Sequence, residues 1–498
     1  MSSILALDQG TTGSTALVVH QDGTILGRGY RELAQHFPRP GWVEHDPEEI
    51  FRVSVEAMRE AMVQAREQPA GLGITNQRET IVLWDRQTLQ PVAPAIVWQD
   101  RRTSDRCRAL RESGVEPMIR ARTGLVADPY FSATKIEWLL RDDALRQRAR
   151  RGELACGTVE TWVVARLTGG RVQVTDHTNA SRTLLYDLAA RAWDPELLAI
   201  FGVPRELLAE IVPSAGVVGE TDRTHLGFSL PIAGLAGDQQ AALFGQGCCA
   251  DGLAKNTYGT GAFLLVYAGW RLPAPAPGLL VTAACGPTGE PAYALEGSVF
   301  IAGAAMQWLR DGLGIIATAA ESEALARSVG DTGGVHFVPA FVGLGTPHWE
   351  PEARGTITGI TRGTTRAHLV RAALEAMAFG SADLLDAMTR SGGLAVPALR
   401  VDGGAAANDW LMQFQADVLG VPVERPDMVE TTGLGAAGLA GMALGVWRSP
   451  AEFLAGRRFR RFDPQSDGGQ RELARQGWDR AVGAALAWAR GGRVRTGS

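Results

Sequence analysis

Two periods of apolar and polar positions run along this chain. Ile4 to Leu7 is an unbroken apolar run, Thr15 to Val19 is β-rich, and Ile25-Leu26 resumes the pattern after Gln21-Asp22-Gly23-Thr24. Asp-Gly tolerates the positive φ of a type I′ turn, so a β-meander is predicted at the start. A second meander is predicted from Leu253 to Tyr258, Phe263 to Tyr267 and Leu279 to Ala283, with Gly259-Thr260-Gly261 as its first turn. Apolar spacings of three and four predict helices at Glu48 to Gln64, Lys135 to Leu140, Val299 to Leu309, Ala367 to Thr389 and Asp409 to Leu419. Strands mixed with helices predict an α/β protein. The two Gly/Thr hairpins lie about half of the 498 residues apart. That spacing predicts two domains of like architecture facing each other, residues 1–247 and 248–498.

Composition narrows the function. With 45 % apolar residues the chain can fill a core in each domain, which excludes disorder for most of it. A net charge of −5, from 49 basic and 54 acidic residues, gives no field to gather nucleic acid or an anionic membrane, so neither partner is expected. The uncharged stretches are too short and too rich in Gly, Ala or Pro for a transmembrane helix. Met-Ser-Ser leads straight into the first strand without a secretory pattern, which predicts a cytoplasmic protein. Five cysteines without a CxxC pair predict reduced, mostly buried thiols. Neither lysine, Lys135 or Lys255, follows a glycine, so a Walker A loop is impossible. The single GxGxxG, Gly433 to Gly438, reads as close helix packing rather than a nucleotide fingerprint. The Arg/Gly-rich tail from Arg490 is expected to fray.

Phosphoryl transfer needs a metal near the phosphates, donors on the transferred group and a carboxylate that takes the proton of the attacking hydroxyl. Each has a candidate. Asp8 ends the first strand and offers an oxygen ligand suited to Mg²⁺; its plainer role is that of a turn aspartate. Thr11 and Thr12, between the backbone donors of Gly10 and Gly13, could cradle phosphate oxygens, as could Thr260. Leu399 to Val401 reads as a strand followed by Asp402-Gly403-Gly404 and a helix from Ala405, which would place Gly404 and Asn408 on one helix face. Gly303 and Gln307 repeat that spacing within Val299 to Leu309. In Gly73 to Thr80, Arg78 and Glu79 could hold the neighbouring hydroxyls of a polyol, against the alternative of a solvated loop. Asp238 follows an apolar strand and reads as a helix N-cap that could also serve as general base.

These segments, together with Gly41 to Pro47, Asp128 to Ser132, Thr175 to Arg182, Ala236 to Gly247 and Asn256 to Gly261, resemble the FGGY family of carbohydrate kinases, and within it the branch that phosphorylates glycerol. The resemblance implies an actin-like pair of ribonuclease-H-like domains with ATP and glycerol meeting in the cleft. It implies that Arg78, Glu79, Tyr130 and Asp238 bind the glycerol hydroxyls, that Gln239 lines the pocket, and that Trp98 and Phe263 pack on the carbon side. It implies Asp238 as base, Asp8 beside Mg²⁺, and Thr11, Thr12, Gly13, Thr260, Gly303, Gln307, Gly404 and Asn408 at the nucleotide. Self-association as a dimer or tetramer is expected on the same ground. One departure stands out. Where that branch reads Ser-Ser-Arg after the threonines, this chain has Gly13-Ser14-Thr15, and the cation that would face the phosphates is missing. A pentulose, hexulose or sugar-acid kinase is the nearest alternative, and an actin-like structural ATPase a more distant one; Arg78-Glu79 and Trp98 favour the small triol.

Overall fold

In the computed structural model, which describes residues 2–350, 352–428 and 430–491, two mixed sheets repeat one plan. In the first, Ser3–Gln9, Gly13–His20 and Ile25–Glu32 form an antiparallel meander, and Leu72–Asn76 and Pro231–Gly237 continue parallel to the first strand. In the second, Ala254–Tyr258, Ala262–Gly269 and Pro291–Val299 form the meander, and Leu399–Gly403 and Val423–Pro426 run parallel beside it. The expectation of two similar halves is met at the level of strand order.

Ile4 to Leu7 of the first strand is apolar without a break because helices cover both faces of its sheet, and a segment buried on both sides has no polar face to present. On one side lies Pro47–Ala65, capped by the Asp46 side chain on the Glu48 N–H and opened by proline at its first position. On the other lies Thr431–Ala443, which reaches over from the second half of the chain. The glycines explain its close seat. A Cβ on Gly435 would fall 1.8 Å from the Ala241 carbonyl oxygen, and one on Gly73 would fall 2.1 Å from that of Ala436. The GxGxxG is thus a helix-packing stripe, as expected. The cysteines are free and four of the five are buried.

Several expectations need correction. The first hairpin has positive φ at Gly23 alone, so it is not type I′; the Asp22 carboxylate accepts the Thr24 N–H and tightens the turn instead. Leu280–Cys285 does not continue the second meander but pairs outside Pro291–Val299, a strand the periodicity did not separate. Val299 ends that strand, and the helix begins only at Gly303, running Gly303–Gln307 before a wider turn over Trp308–Gly312. Gly404 and Asn408 do not share a helix face. Gly404–Ala407 is a 3₁₀ turn, and Asn408 caps the next helix, Asp409–Leu419, by accepting the Leu411 N–H at 2.9 Å. A side-chain acceptor at that point satisfies a free helix-end donor and starts a new helix. Arg490 lies within the last helix, Gly468–Gly491, while 492–498 are outside the described residues. No helix of the described residues is long and apolar enough to cross a membrane.

Candidate active site

The ends of Leu72–Asn76 and Pro231–Gly237 in the first sheet and Glu296 inside Pro291–Val299 of the second meet in one group of charges. Leu72–Asn76 delivers Gln77, Arg78 and Glu79, which are buried rather than solvated. Glu79 adopts φ of +63°, a conformation that non-glycine residues rarely hold without a constraint. That constraint is visible in its neighbours. Ser132 donates to the Glu79 carbonyl at 3.0 Å, and Arg182 Nε donates to its carboxylate at 2.6 Å. The Arg78 guanidinium reaches Asp238 Oδ1 at 3.2 Å, Glu79 Oε1 at 3.7 Å, Glu296 Oε2 at 2.7 Å and the Tyr130 hydroxyl at 3.4 Å. Tyr130 packs edge-on against Trp98, and the Trp98 indole donates to Thr11 Oγ1 at 2.9 Å.

Asp238 is the accessible member of this group. Its side chain is 31 % exposed, against 1 % for Arg78 and 0 % for Glu296, so it is the carboxylate an incoming hydroxyl can meet. It is not the helix N-cap; Gly237 holds that place, and Asp238 opens the helix Asp238–Gly245 with its Oδ1 accepting the Gln239 N–H at 2.7 Å. Gln239 accepts from Lys255, whose ammonium also donates to Thr257 at 2.8 Å. Burial pushes Lys255 down to about 8, despite the carboxylates of Asp402 and Asp238 nearby.

The side of the group around Asp8 is open where the side around Arg78 is closed. Asp8, next to last in its strand, is partly exposed, and no hydrogen-bond donor among the described residues reaches its carboxylate. Burial, with the negative charges of Asp238 and Glu430, raises its pKa to about 8. An unbalanced carboxylate of that kind fits a divalent cation, which would favour the ionised form. Thr12 and Thr260 are exposed, and the hairpin carrying Thr260 is tied to the helix of Gly303 through Gly303 N–H to Gly259 O at 3.0 Å. A Cβ at Gly404 would meet nothing within 4 Å, leaving room for a ligand. Gly13 is buried, with the Tyr30 ring against it. Phe263 belongs to the second domain, opposite Thr257 and Ser298 in register. Gln307 is exposed, and Asn408 bonds Ser322, so neither touches the charged cluster.

Arg182, Glu296, Lys255 and Asp402 were not singled out from the sequence. Glu296 had a readable signal: a lone carboxylate inside the apolar strand Pro291–Val299 must find a buried partner. Asp402 accepts from Gln246 at 2.8 Å and from Thr431, and so ties the nucleotide-side strand to the helix that crosses between the halves.

Two actin-like α/β domains with a charged cluster joining residues of both define a phosphotransfer architecture. The chain belongs to the FGGY family of carbohydrate kinases, whose N-terminal domain matches residues 3–245 and whose C-terminal domain matches residues 254–444. A glycerol kinase of Carboxydothermus hydrogenoformans is 54 % identical over 97 % of this chain and 98 % of its own. One of Alkalilimnicola ehrlichii is 55 % identical over 98 % and 99 %. Among solved structures, Plasmodium falciparum glycerol kinase with ADP superposes with a TM-score of 0.93 at 35 % identity, covering 98 % of each chain.

Proposed function

We propose that this chain phosphorylates glycerol, moving the γ-phosphoryl group of ATP to a terminal hydroxyl and releasing ADP and sn-glycerol 3-phosphate. The observation that carries the reading is the joining of Arg78, Glu79, Tyr130 and Asp238 at one point, with Asp238 the reachable carboxylate. Fixed donors and acceptors spaced for adjacent hydroxyls suit a short triol, and the kinship with glycerol kinases supports the same substrate. Asp238 Oδ2 accepts the hydroxyl proton as the new O–P bond forms. Arg78 and Glu79 orient the other two hydroxyls, and Trp98 with Phe263 covers the carbon chain. Asp8 would hold Mg²⁺, which would supply positive charge against the phosphates. Thr11, Thr12, Gly13 and Thr260 hold phosphate oxygens, while Gly303, Gln307, Gly404 and Asn408 line the nucleotide. Residues 1–247 then carry the glycerol, phosphate and Mg²⁺ sites and 248–498 the adenine nucleotide, in a cytoplasmic enzyme that self-associates.

General-base assistance is worth about 10²- to 10⁴-fold in rate. Asp238→Asn should therefore lose turnover on that scale while ADP still binds, read by a coupled assay and by calorimetry. A loss below about threefold would remove Asp238 from the role. Rates on glycerol, xylulose and gluconate settle the substrate: preference for either sugar would replace this reading with another kinase of the family.

A further inference from the structure

The polyol-binding pair does not hold its own shape. Arg78 and Glu79 are consecutive, yet both are held by residues from elsewhere. Glu296 lies on Pro291–Val299, in the second domain's sheet, and its two oxygens take the Arg78 fork at 2.7 and 3.3 Å. Arg182, in the first domain, donates through Nη2 to Glu296 at 2.9 Å and through Nε to Glu79 at 2.6 Å. Both side chains are wholly buried. Burial alone would raise the Glu296 carboxyl, but Arg182 and Arg78 hold it at about 2.

We propose that Glu296 and Arg182 are positioning residues for the polyol site, a buried brace that fixes Arg78 and Glu79 in their binding orientation from across the domain junction. This rests on the glycerol reading and deepens it. A guanidinium bound bidentately to a carboxylate is fixed in plane and direction. With its Nη groups fastened to Glu296, Arg78 turns Nε toward Asp238 Oδ1 at 3.2 Å, where the proposed hydroxyl would bind. Arg182 does the complementary work on Glu79, fixing its carboxylate by the Nε hydrogen bond and, with Arg78, opposing the upward push that burial gives its pKa. Because Glu296 comes from the second domain, the geometry of the polyol site depends on how the two sheets are seated.

The test is steady-state kinetics of full-length Glu296→Gln, which keeps size and removes charge. Losing one partner of a buried charged hydrogen bond should raise the glycerol KM about 10- to 100-fold, with the ATP KM changed less than about twofold. Glu296→Asp, which keeps the charge on a shorter arm, should recover part of the loss. Equal shifts in both KM values, no shift in either, or no recovery in Glu296→Asp would overturn the brace. Should Glu296→Gln fail to fold, Arg182→Lys is measured in the same way: a raised glycerol KM with a steady ATP KM supports the brace, and equal or absent shifts overturn it. Failure of wild-type protein to form ADP with glycerol would refute the glycerol reading itself, whereas active wild type with unaltered variants refutes only the brace.

Discussion

The proposed polyol end of the site, around Arg78, and the proposed phosphate end, around Asp8, are built on opposite principles. At the polyol end two guanidinium groups and three carboxylates, Arg78 and Arg182 with Glu79, Glu296 and Asp238, are bonded to one another before any ligand arrives. At the phosphate end no donor among the described residues reaches the Asp8 carboxylate, Thr12 and Thr260 are exposed, and Gly404 leaves space. Preorganisation suits the small neutral triol, which brings too little binding energy to order its own site. A nucleotide with a metal brings charge enough to organise its surroundings. The two ends should therefore answer substitution differently.

The largest contrast is in stability. Arg78→Met leaves Glu296 and Glu79 sharing Arg182 alone, and breaking a buried ion pair costs about 3–5 kcal/mol. Thermal unfolding should register it, with polyol binding lost; a cost under about 1 kcal/mol would mean the network is not a fixed structure. Asp8→Asn should do the reverse. Turnover should fall about 10²- to 10³-fold, the usual effect of losing one electrostatic group at a phosphoryl or acyl centre. Yet the metal-free variant should be more stable than wild type above neutral pH. The sign follows from the carboxyl being raised to about 8. The folded state holds that proton more tightly than the unfolded chain, so the associated stability is full below the ordinary carboxylate range and is lost as pH rises toward 8. Asparagine removes that loss. Unfolding of both proteins at pH 5 and 8 checks it, and a wild-type curve that ignores pH in the way the variant does would show Asp8 to be compensated.

The same contrast decides what could be read from sequence. Strand runs, the first meander and the helices Pro47–Ala65, Arg366–Gly392 and Asp409–Leu419 were legible because their periodicity is local. Asp8, Arg78, Glu79 and Asp238 stood out as candidates in local motifs, and Tyr130 entered through the family resemblance alone. The brace was not, because Arg182 and Glu296 are 114 residues apart and acquire meaning only through a contact between domains. Gly404 and Asn408 were misread as helical because spacing alone does not reveal that a side-chain cap begins a new helix at Asp409.

Two adjacent glycines sharpen the division between folding and binding. Gly403 has φ of +85° and its Cβ would lie 2.3 Å from the Tyr258 carbonyl oxygen, whereas Gly404 has open space. Gly403→Ala should cost about 1–3 kcal/mol in unfolding free energy. Gly404→Ala should leave stability within about 0.5 kcal/mol and raise the ATP KM several-fold. Equal loss of stability in both would mean that the gap at Gly404 is a feature of the fold, without a ligand to fill it.

The smallest effect is expected at Thr15. It stands directly opposite Asp8 on one side and Tyr30 on the other, and opposed residues of neighbouring strands share a face. Arginine there would approach Asp8 and compete for Glu430 with Arg28, which already pairs with it at 3.1 Å. A half-exposed cation is worth up to about 1 kcal/mol, so Thr15→Arg should tighten ADP by no more than about fivefold and change turnover by less. The measurement is ADP titration beside the coupled assay. A rise in turnover of about 100-fold, the scale of a group aimed at transition-state charge, would break the comparison: the phosphate end would then be short of a catalytic cation, and its openness would be a deficit that this chain carries rather than room left for the nucleotide.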